Sequence, residues 1–169
     1  STYNLENRFT GWKDVDLTDL GQKQAKEASN LLTNHKFDLA FTSTLVRAQN
    51  TLDIILANLG ISLKVIKNEA LNERDYGDLV GQNKDEASKK FGKEQVQIWR
   101  RSFDIPPPNG ESLEMTYNRT IPYFNSVIKP YLLNGKNIIL AAHGNSIRSI
   151  ILELLNYDSN QILKTEVGW

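Results

Sequence analysis

Apolar positions along the chain fall into two spacings, one helical and one of short buried runs. Ala25, Ala28 and Leu32 share one face of a helix predicted over 20–32, with Thr18 as its N-cap. Residues 37–41 form a short apolar run that reads as a buried strand. Ser43 is then expected to cap a helix carrying Leu45, Ala48, Leu52, Ile55 and Leu59 on one side and ending at Gly60. A second strand is predicted over 63–66, and the irregular polar stretch 71–81 reads as a loop. Asn83 is placed as the cap of a short helix reaching Phe91, followed by another over 94–101. Pro106-Pro107-Pro108-Asn109-Gly110 excludes both helix and central strand. Ser112 is expected to cap the longest helix, whose stripe is Leu113, Tyr117, Ile121, Phe124, Ile128 and Tyr131, with Gly135 past its end. Pro122 lies inside that stripe and should bend or loosen one turn. A strand over 137–142 and a helix over 146–155 follow. Strands alternating with helices predict an α/β fold, a three-layer sandwich with a mainly parallel central sheet, in one domain over 1–169.

Composition narrows the function. Lys+Arg and Asp+Glu both number 20, so the net charge is zero and the basic excess of a nucleic-acid binder is missing. Any anion site must be a local convergence of cations. Without cysteine there is neither a disulfide nor a thiolate metal site. His35 and His143 are too few for a histidine-rich metal centre. No apolar run is long enough to span a bilayer and no signal peptide is visible, which fits a cytoplasmic enzyme.

The sharpest chemical segment is Ala141-Ala142-His143-Gly144-Asn145-Ser146. A buried strand ends at a histidine, and Asn145 or Ser146 opens a helix whose free N–H groups suit an anion. The alternative is a histidine that satisfies buried backbone groups. Thr42-Ser43-Thr44-Leu45-Val46-Arg47 repeats the geometry, and a guanidinium matches phosphate oxygens bidentately. Taken alone, Arg47 reads as an ordinary exposed arginine. Leu71-Asn72-Glu73-Arg74-Asp75-Tyr76-Gly77 gathers two carboxylates, a guanidinium and a phenol; by itself it reads as a solvated charged loop. Trp99-Arg100-Arg101 pairs cations at a helix end, where the macrodipole alone would favour them. His35 reads as a solvated loop residue.

Taken together, these segments resemble the 2,3-bisphosphoglycerate-dependent phosphoglycerate mutase family of the histidine phosphatase superfamily. Ser1-Thr2-Tyr3-Asn4 is similar to the end of that family's Arg-His-Gly-Glu-Ser-x-Trp-Asn signature, and Asn7-Arg8-Phe9-Thr10-Gly11-Trp12 follows as the family pattern has it. The 71–77 loop, Asn83-Lys84, Trp99-Arg100-Arg101, Pro107 through Ser112 and the His-Gly-Asn segment complete the match over nearly the whole chain. The resemblance implies a phosphoglycerate mutase-like fold and the interconversion of 3- and 2-phosphoglycerate through a phosphohistidine, in glycolysis and gluconeogenesis. It implies 2,3-bisphosphoglycerate as phosphoryl primer and no metal. The partners it implies are small-molecule phosphoglycerates, with neither nucleic acid nor membrane; a homo-oligomer stays open.

By resemblance, Ser1, Asn4, Arg47, His143, Gly144 and Asn145 line the pocket of the transferring phosphoryl group, with Thr2 and Tyr3 in the same binding segment. Thr10, Gly11, Tyr76, Lys84, Arg100 and Arg101 hold the rest of the substrate. Glu73 is the general acid/base, Arg74 and Asp75 belong to its binding loop, and His143 stabilises the phosphoryl group. Measured against the family pattern, the chain is expected to be truncated at both ends. The nucleophilic histidine falls three positions before Ser1, and a strand and tail follow Glu166-Val167-Gly168-Trp169. Asp75 stands where the family usually has histidine, an added anion that would lower affinity. The rival readings are a phosphatase or bisphosphoglycerate synthase of the same superfamily, and a non-catalytic phosphate-binding fragment. Lys84 and Arg100-Arg101 favour a mutase, because they would retain a bisphosphate rather than release it.

Overall fold

The computed structural model of the chain describes residues 1–158 and residue 161, so the expectations about 166–169 lie outside the described residues. Strands β1 (Leu39–Thr42), β2 (Lys64–Lys67) and β3 (Ile138–Ala141) form a parallel sheet in the order β2-β1-β3. Register pairs Thr42 with both Lys67 and Ala141, so the strands end level with one another. Central β1 is buried throughout, as its apolar run requires.

Side chains alternate across the sheet and define its two cores. Leu39 and Phe41 meet Ile121, Phe124, Ile128 and Ile150 on one face, supplied by α6 (Leu113–Tyr123), a following π turn and α8 (Gly144–Leu155). Ala40 and Ile139 meet Leu52, Ile55 and Leu56 of α3 (Val46–Leu59) on the other, with α2 (Asp19–Asn30) packed on α3. The architecture is therefore the expected α/β sandwich of helix, parallel sheet and helix. A third cluster of Phe9, Leu79, Ala87 and Val96 lies where α4 (Lys84–Phe91) and α5 (Lys93–Arg101) cover the N-terminal segment, which itself opens with the short α1 (Thr2–Leu5). Among the described residues no helix is long and apolar enough to cross a membrane.

Several caps follow the sequence. Thr18 accepts from the Gly21 N–H, Asn83 from Asp85 and Glu86, and Ser112 from Met115. Gly60 closes α3 at φ +65°. Ser43 is not a cap: α3 starts at Val46, whose N–H is bound by Asp14 Oδ1 at 2.7 Å. The Ser43 hydroxyl accepts the Leu45 N–H at 3.2 Å, ahead of the helix, and also meets His143. Helix α8 begins at Gly144 rather than at Asn145 or Ser146, because the Ser146 hydroxyl folds back to accept the His143 N–H. At 14 residues α3 is longer than the 11 of α6. The run from Leu113 is broken after Pro122 by a π turn over Phe124–Ile128, then continues as α7 (Lys129–Leu133). That widened turn is the loosening expected of a proline that lacks an N–H. The 71–81 stretch is not plain loop, since single 3-10 turns span Glu69–Leu71 and Gly77–Leu79.

Candidate active site

Each strand delivers chemical groups just past its carboxyl end, the place where open α/β sheets bind ligands. Beyond β1 stand Ser43 and Arg47, beyond β2 the Glu73 loop, and beyond β3 His143 at the start of α8.

Arg47 is buried at 8% exposure, so its reading as an ordinary exposed arginine is corrected. Its Nη2 donates to the Gly11 carbonyl at 2.8 Å and its Nη1 to Lys13 at 3.1 Å. Burial lowers its pKa from the ordinary guanidinium value, while Glu73 and Asp14 oppose the shift. Those carbonyls fix the side chain from outside and aim a planar cation at the sheet edge. His143 Nε2 lies 2.8 Å from Ser43 Oγ, with the imidazole buried. Burial first, then the charges of Arg47 and Arg119, push its pKa down to about 3. The ring is neutral near pH 7 and held in place by Ser43, able to exchange a hydrogen bond with a neighbouring oxygen.

Glu73 reaches across from the β2 side to the first turn of α8. Its Oε1 accepts from the Asn145 N–H at 3.1 Å and from Asn145 Nδ2 at 3.0 Å. Gly144 lies beside this contact, and a Cβ there would stand 3.8 Å from Glu73 Oε2, an ordinary van der Waals distance. The loop carrying Glu73 is not solvated. Leu71, Asn72 and Arg74 are buried, and Asn72 Oδ1 accepts from both the N–H and the hydroxyl of Thr44, tying the β2 loop to the end of β1.

A small cavity beside Asn145 is walled by Arg74, Arg100, Arg101, Ser102, Leu113 and Arg148. Arg74 is 1% exposed, donates to the Trp99 carbonyl and lies 4.8 Å from the centre of the Tyr76 ring. Its Nε is buried without a protein partner. A buried guanidinium with an unspent donor, three further arginines beside it and an amide opposite form a donor set for anionic oxygens. Lys84 belongs to the same field: burial and the charges of Arg100 and Arg101 lower its pKa, against the pull of Asp85.

The remaining expected residues do not line that cavity. Ser1 is half-buried just before α1, and its hydroxyl is buried without a protein partner. Thr10 Oγ1 donates to Asn4 Oδ1 at 3.4 Å. Gly11 lends its carbonyl to Arg47, and Tyr76 packs on Phe9 at 5.1 Å. Tyr3 turns towards Gly81, and Thr2 is exposed on α1. Asp75 directs Oδ1 to the Gly77 N–H at 2.9 Å, so its carboxylate serves a turn. His35 is exposed and stacks near Phe37. Sequence reasoning passed over Ser43 as a partner of His143, and it passed over Trp12, Glu111, Arg119 and Arg148. The position of Arg148, one turn along α8 from Asn145, was the available signal.

The sequence pattern of the histidine phosphatase superfamily (branch 1) matches residues 1–168. The chain is 55% identical over 171 residues to the 2,3-bisphosphoglycerate-dependent phosphoglycerate mutase of Nitrobacter hamburgensis, covering 99% of this chain and 83% of that protein. It is 54% identical to the phosphoglycerate mutase of Schizosaccharomyces pombe, covering 99% and 81%. Among solved structures it superposes on Bacillus stearothermophilus YhfR with a TM-score of 0.87 at 20% identity, covering 100% and 82% of the two chains. A mycobacterial glucosyl-3-phosphoglycerate phosphatase gives a TM-score of 0.84 at 23% identity, covering 98% and 81%. At those identities the structural likeness concerns the fold.

Proposed function

Because the chain belongs to branch 1 of the histidine phosphatase superfamily, we infer that it interconverts 3-phosphoglycerate and 2-phosphoglycerate through a phosphohistidine. One observation carries the reading: the Glu73 carboxylate, bound to Asn145, stands beside the arginine-walled cavity that Asn145 also lines. A proton-exchanging carboxylate next to an anion cradle is what moving a phosphoryl group between neighbouring hydroxyls requires. The phosphoglycerate mutase names of relatives at 54–55% identity support it.

When bound, 2,3-bisphosphoglycerate supplies the phosphoryl group that primes the histidine. The donor set fits it, since Arg74 Nε is a buried unspent donor and the cavity wall is cationic. Arg100, Arg101, Arg74 and Lys84 hold the carboxylate and distal phosphate, together with Thr10, Gly11 and Tyr76. Asp75, Thr2 and Tyr3 belong to the same binding surface. Arg47, Ser1, Asn4, Gly144 and Asn145 hold the transferring phosphoryl oxygens. Glu73 takes the proton of the attacking hydroxyl and returns it to the leaving oxygen. His143 donates a hydrogen bond to the phosphoryl group and is not the nucleophile, a role the family pattern gives to a histidine before Ser1. No metal takes part, and the reaction belongs in the cytoplasm, within one domain.

The test is turnover of 3-phosphoglycerate by the full-length protein, with and without 2,3-bisphosphoglycerate and a strong chelator. Formation of 2-phosphoglycerate, stimulated by the bisphosphate and indifferent to chelation, is expected. Release of inorganic phosphate without isomerisation would replace the mutase by a phosphatase.

A further inference from the structure

We propose that Arg119 is a positioning residue for Glu73, acting with Glu111 and Trp12 as a clamp on the backbone that presents the carboxylate. The proposal rests on the proposed acid/base role of Glu73.

Arg119 projects from α6, and its side chain is 19% exposed. Its Nε and Nη2 donate to the two oxygens of Glu111, each at 2.9 Å. Its Nη1 donates to the Glu69 and Ala70 carbonyls, both at 3.0 Å. Nη2 reaches the Asn72 carbonyl at 3.4 Å and that of Glu73 at 3.3 Å. Glu111 Oε2 also accepts the Asp75 N–H at 3.0 Å. One ion pair thus holds the main chain on both sides of Glu73. The Trp12 indole N–H donates to the Glu73 carbonyl at 2.6 Å, and the Arg119 guanidinium lies 5.3 Å from the Trp12 ring centre.

The chemistry explains why an arginine stands here. The Asn72 and Glu73 carbonyls lie between two short 3-10 turns, with neither a helix nor a strand ladder to occupy them, and such groups need donors once water is excluded. A planar guanidinium offers five N–H groups in a fixed fork, enough for a carboxylate and several carbonyls together. Lysine would keep the charge and lose the fork. From the backbone fixed this way, the Glu73 side chain spans to Asn145 on α8. A small displacement of that backbone moves the carboxylate relative to the hydroxyls it serves, while Arg100 and Arg101 of α5 and Arg148 of α8, which wall most of the cavity, stay in place.

The experiment is a double-mutant cycle on the full-length protein: wild type, Arg119→Lys, Glu73→Gln and the double variant, with kcat and KM for 3-phosphoglycerate and thermal unfolding of each. Arg119→Lys is expected to lower kcat by about 10- to 100-fold, the scale of a small misplacement of a catalytic group. KM should stay within about threefold, since Arg100, Arg101 and Arg148 still supply most of the uniform substrate binding. In the Glu73→Gln background the same substitution should cost less than about twofold, because Arg119 acts through Glu73. Equal losses in both backgrounds, or an unchanged kcat, would overturn the proposal. If Arg119→Lys does not fold, Trp12→Phe carries the cycle, since it removes only the indole bond of a side chain that is 36% exposed. A smaller kcat loss that disappears beside Glu73→Gln supports the clamp, and an additive loss sinks it. Wild-type protein that fails to interconvert phosphoglycerates would defeat the function itself. Wild-type turnover with additive variants would defeat only the clamp.

Discussion

Glu73 Oε1 accepts two hydrogen bonds from one residue, Asn145, through its backbone N–H at 3.1 Å and its side-chain Nδ2 at 3.0 Å. The first comes from the opening turn of α8, where free N–H groups and the macrodipole favour negative charge. The carboxylate is therefore oriented by the same helix end that would bind phosphoryl oxygens. Proton exchange and phosphoryl holding share one piece of backbone.

Replacing Glu73 by glutamine should keep the fold, because an amide oxygen can still accept from Asn145. It should also keep bisphosphoglycerate binding. Turnover should fall by about 100-fold or more, within the usual contribution of a general acid/base. Steady-state kinetics with circular dichroism and bisphosphate titration test this. Near-normal turnover would remove Glu73 from the mechanism.

The cations should separate by kinetic signature. Arg47 is buried, anchored to Gly11 and Lys13, and close enough to His143 to depress its pKa. Arg47→Ala should lower kcat more than it raises KM, since a cation at the transferring group acts mainly in the transition state. Arg100 lines the distal cavity and is half-exposed on α5. Arg100→Ala should raise KM for phosphoglycerate about tenfold with little change in kcat, as loss of uniform binding does. Equal effects of the two substitutions on kcat would dissolve the division between the two ends of the site.

His143 makes stability depend on acid. Its folded pKa, about 3, lies below the ordinary 6.5 of the unfolded chain. Between those values the unfolded state binds the extra proton, so stability is present above pH 6.5 and is lost as pH falls towards 3. The slope approaches about 1.4 kcal/mol per pH unit for a single proton. Glu111 acts in the same direction at lower pH. Burial raises its pKa, but bonds from Arg119 and the Asp75 N–H outweigh this and leave it below the ordinary 4.5. The window from pH 6.5 to 4.5 therefore isolates His143. Urea unfolding across it should show a decline in the wild type that His143→Gln flattens, and a decline of equal slope in the variant would assign it to other groups.

Much of this arrangement was legible in the chain itself, for local reasons. The strands, most caps and the loosened turn after Pro122 follow from periodicity and from side chains acting within a few residues. Ser43 was misread because a hydroxyl before a helix looks like a cap. It does accept a local N–H, from Leu45, but it also meets His143, 100 residues away. Arg47 and the 71–77 loop looked solvated because their composition is charged. What buries them is carbonyl acceptors of Gly11, Lys13 and Trp99, and a carbonyl carries no residue signature. Arg119 was invisible for the same reason, since four of its acceptors are main-chain oxygens.

Two glycines with similar positive φ should respond very differently to alanine. Gly60 has φ +65° at the end of α3, with nothing within 4 Å of where a Cβ would stand. Gly60→Ala should cost about 1–2 kcal/mol, the steric penalty of the left-handed conformation alone. Gly77 has φ +53°, and a Cβ there would fall 2.2 Å from the Pro108 carbonyl and 2.5 Å from the Gly110 nitrogen. Those are backbone atoms that cannot rotate aside, so the 106–110 segment must move. That segment is joined to the Glu73 loop through Asp78 N–H to the Pro108 carbonyl and Glu111 N–H to the Asp75 carbonyl. Gly77→Ala should therefore cost at least about 3 kcal/mol, combining the same backbone penalty with steric overlap. It should also reduce turnover, because displacing Glu111 disturbs the Arg119 pair that holds Glu73. Gly60→Ala should leave kcat unchanged, as α3 ends on the far side of its length from Arg47. Denaturant unfolding and kcat on both variants test the pair. Equal stability losses would mean that the 106–110 segment yields freely and that its packing on Gly77 does not hold the loop.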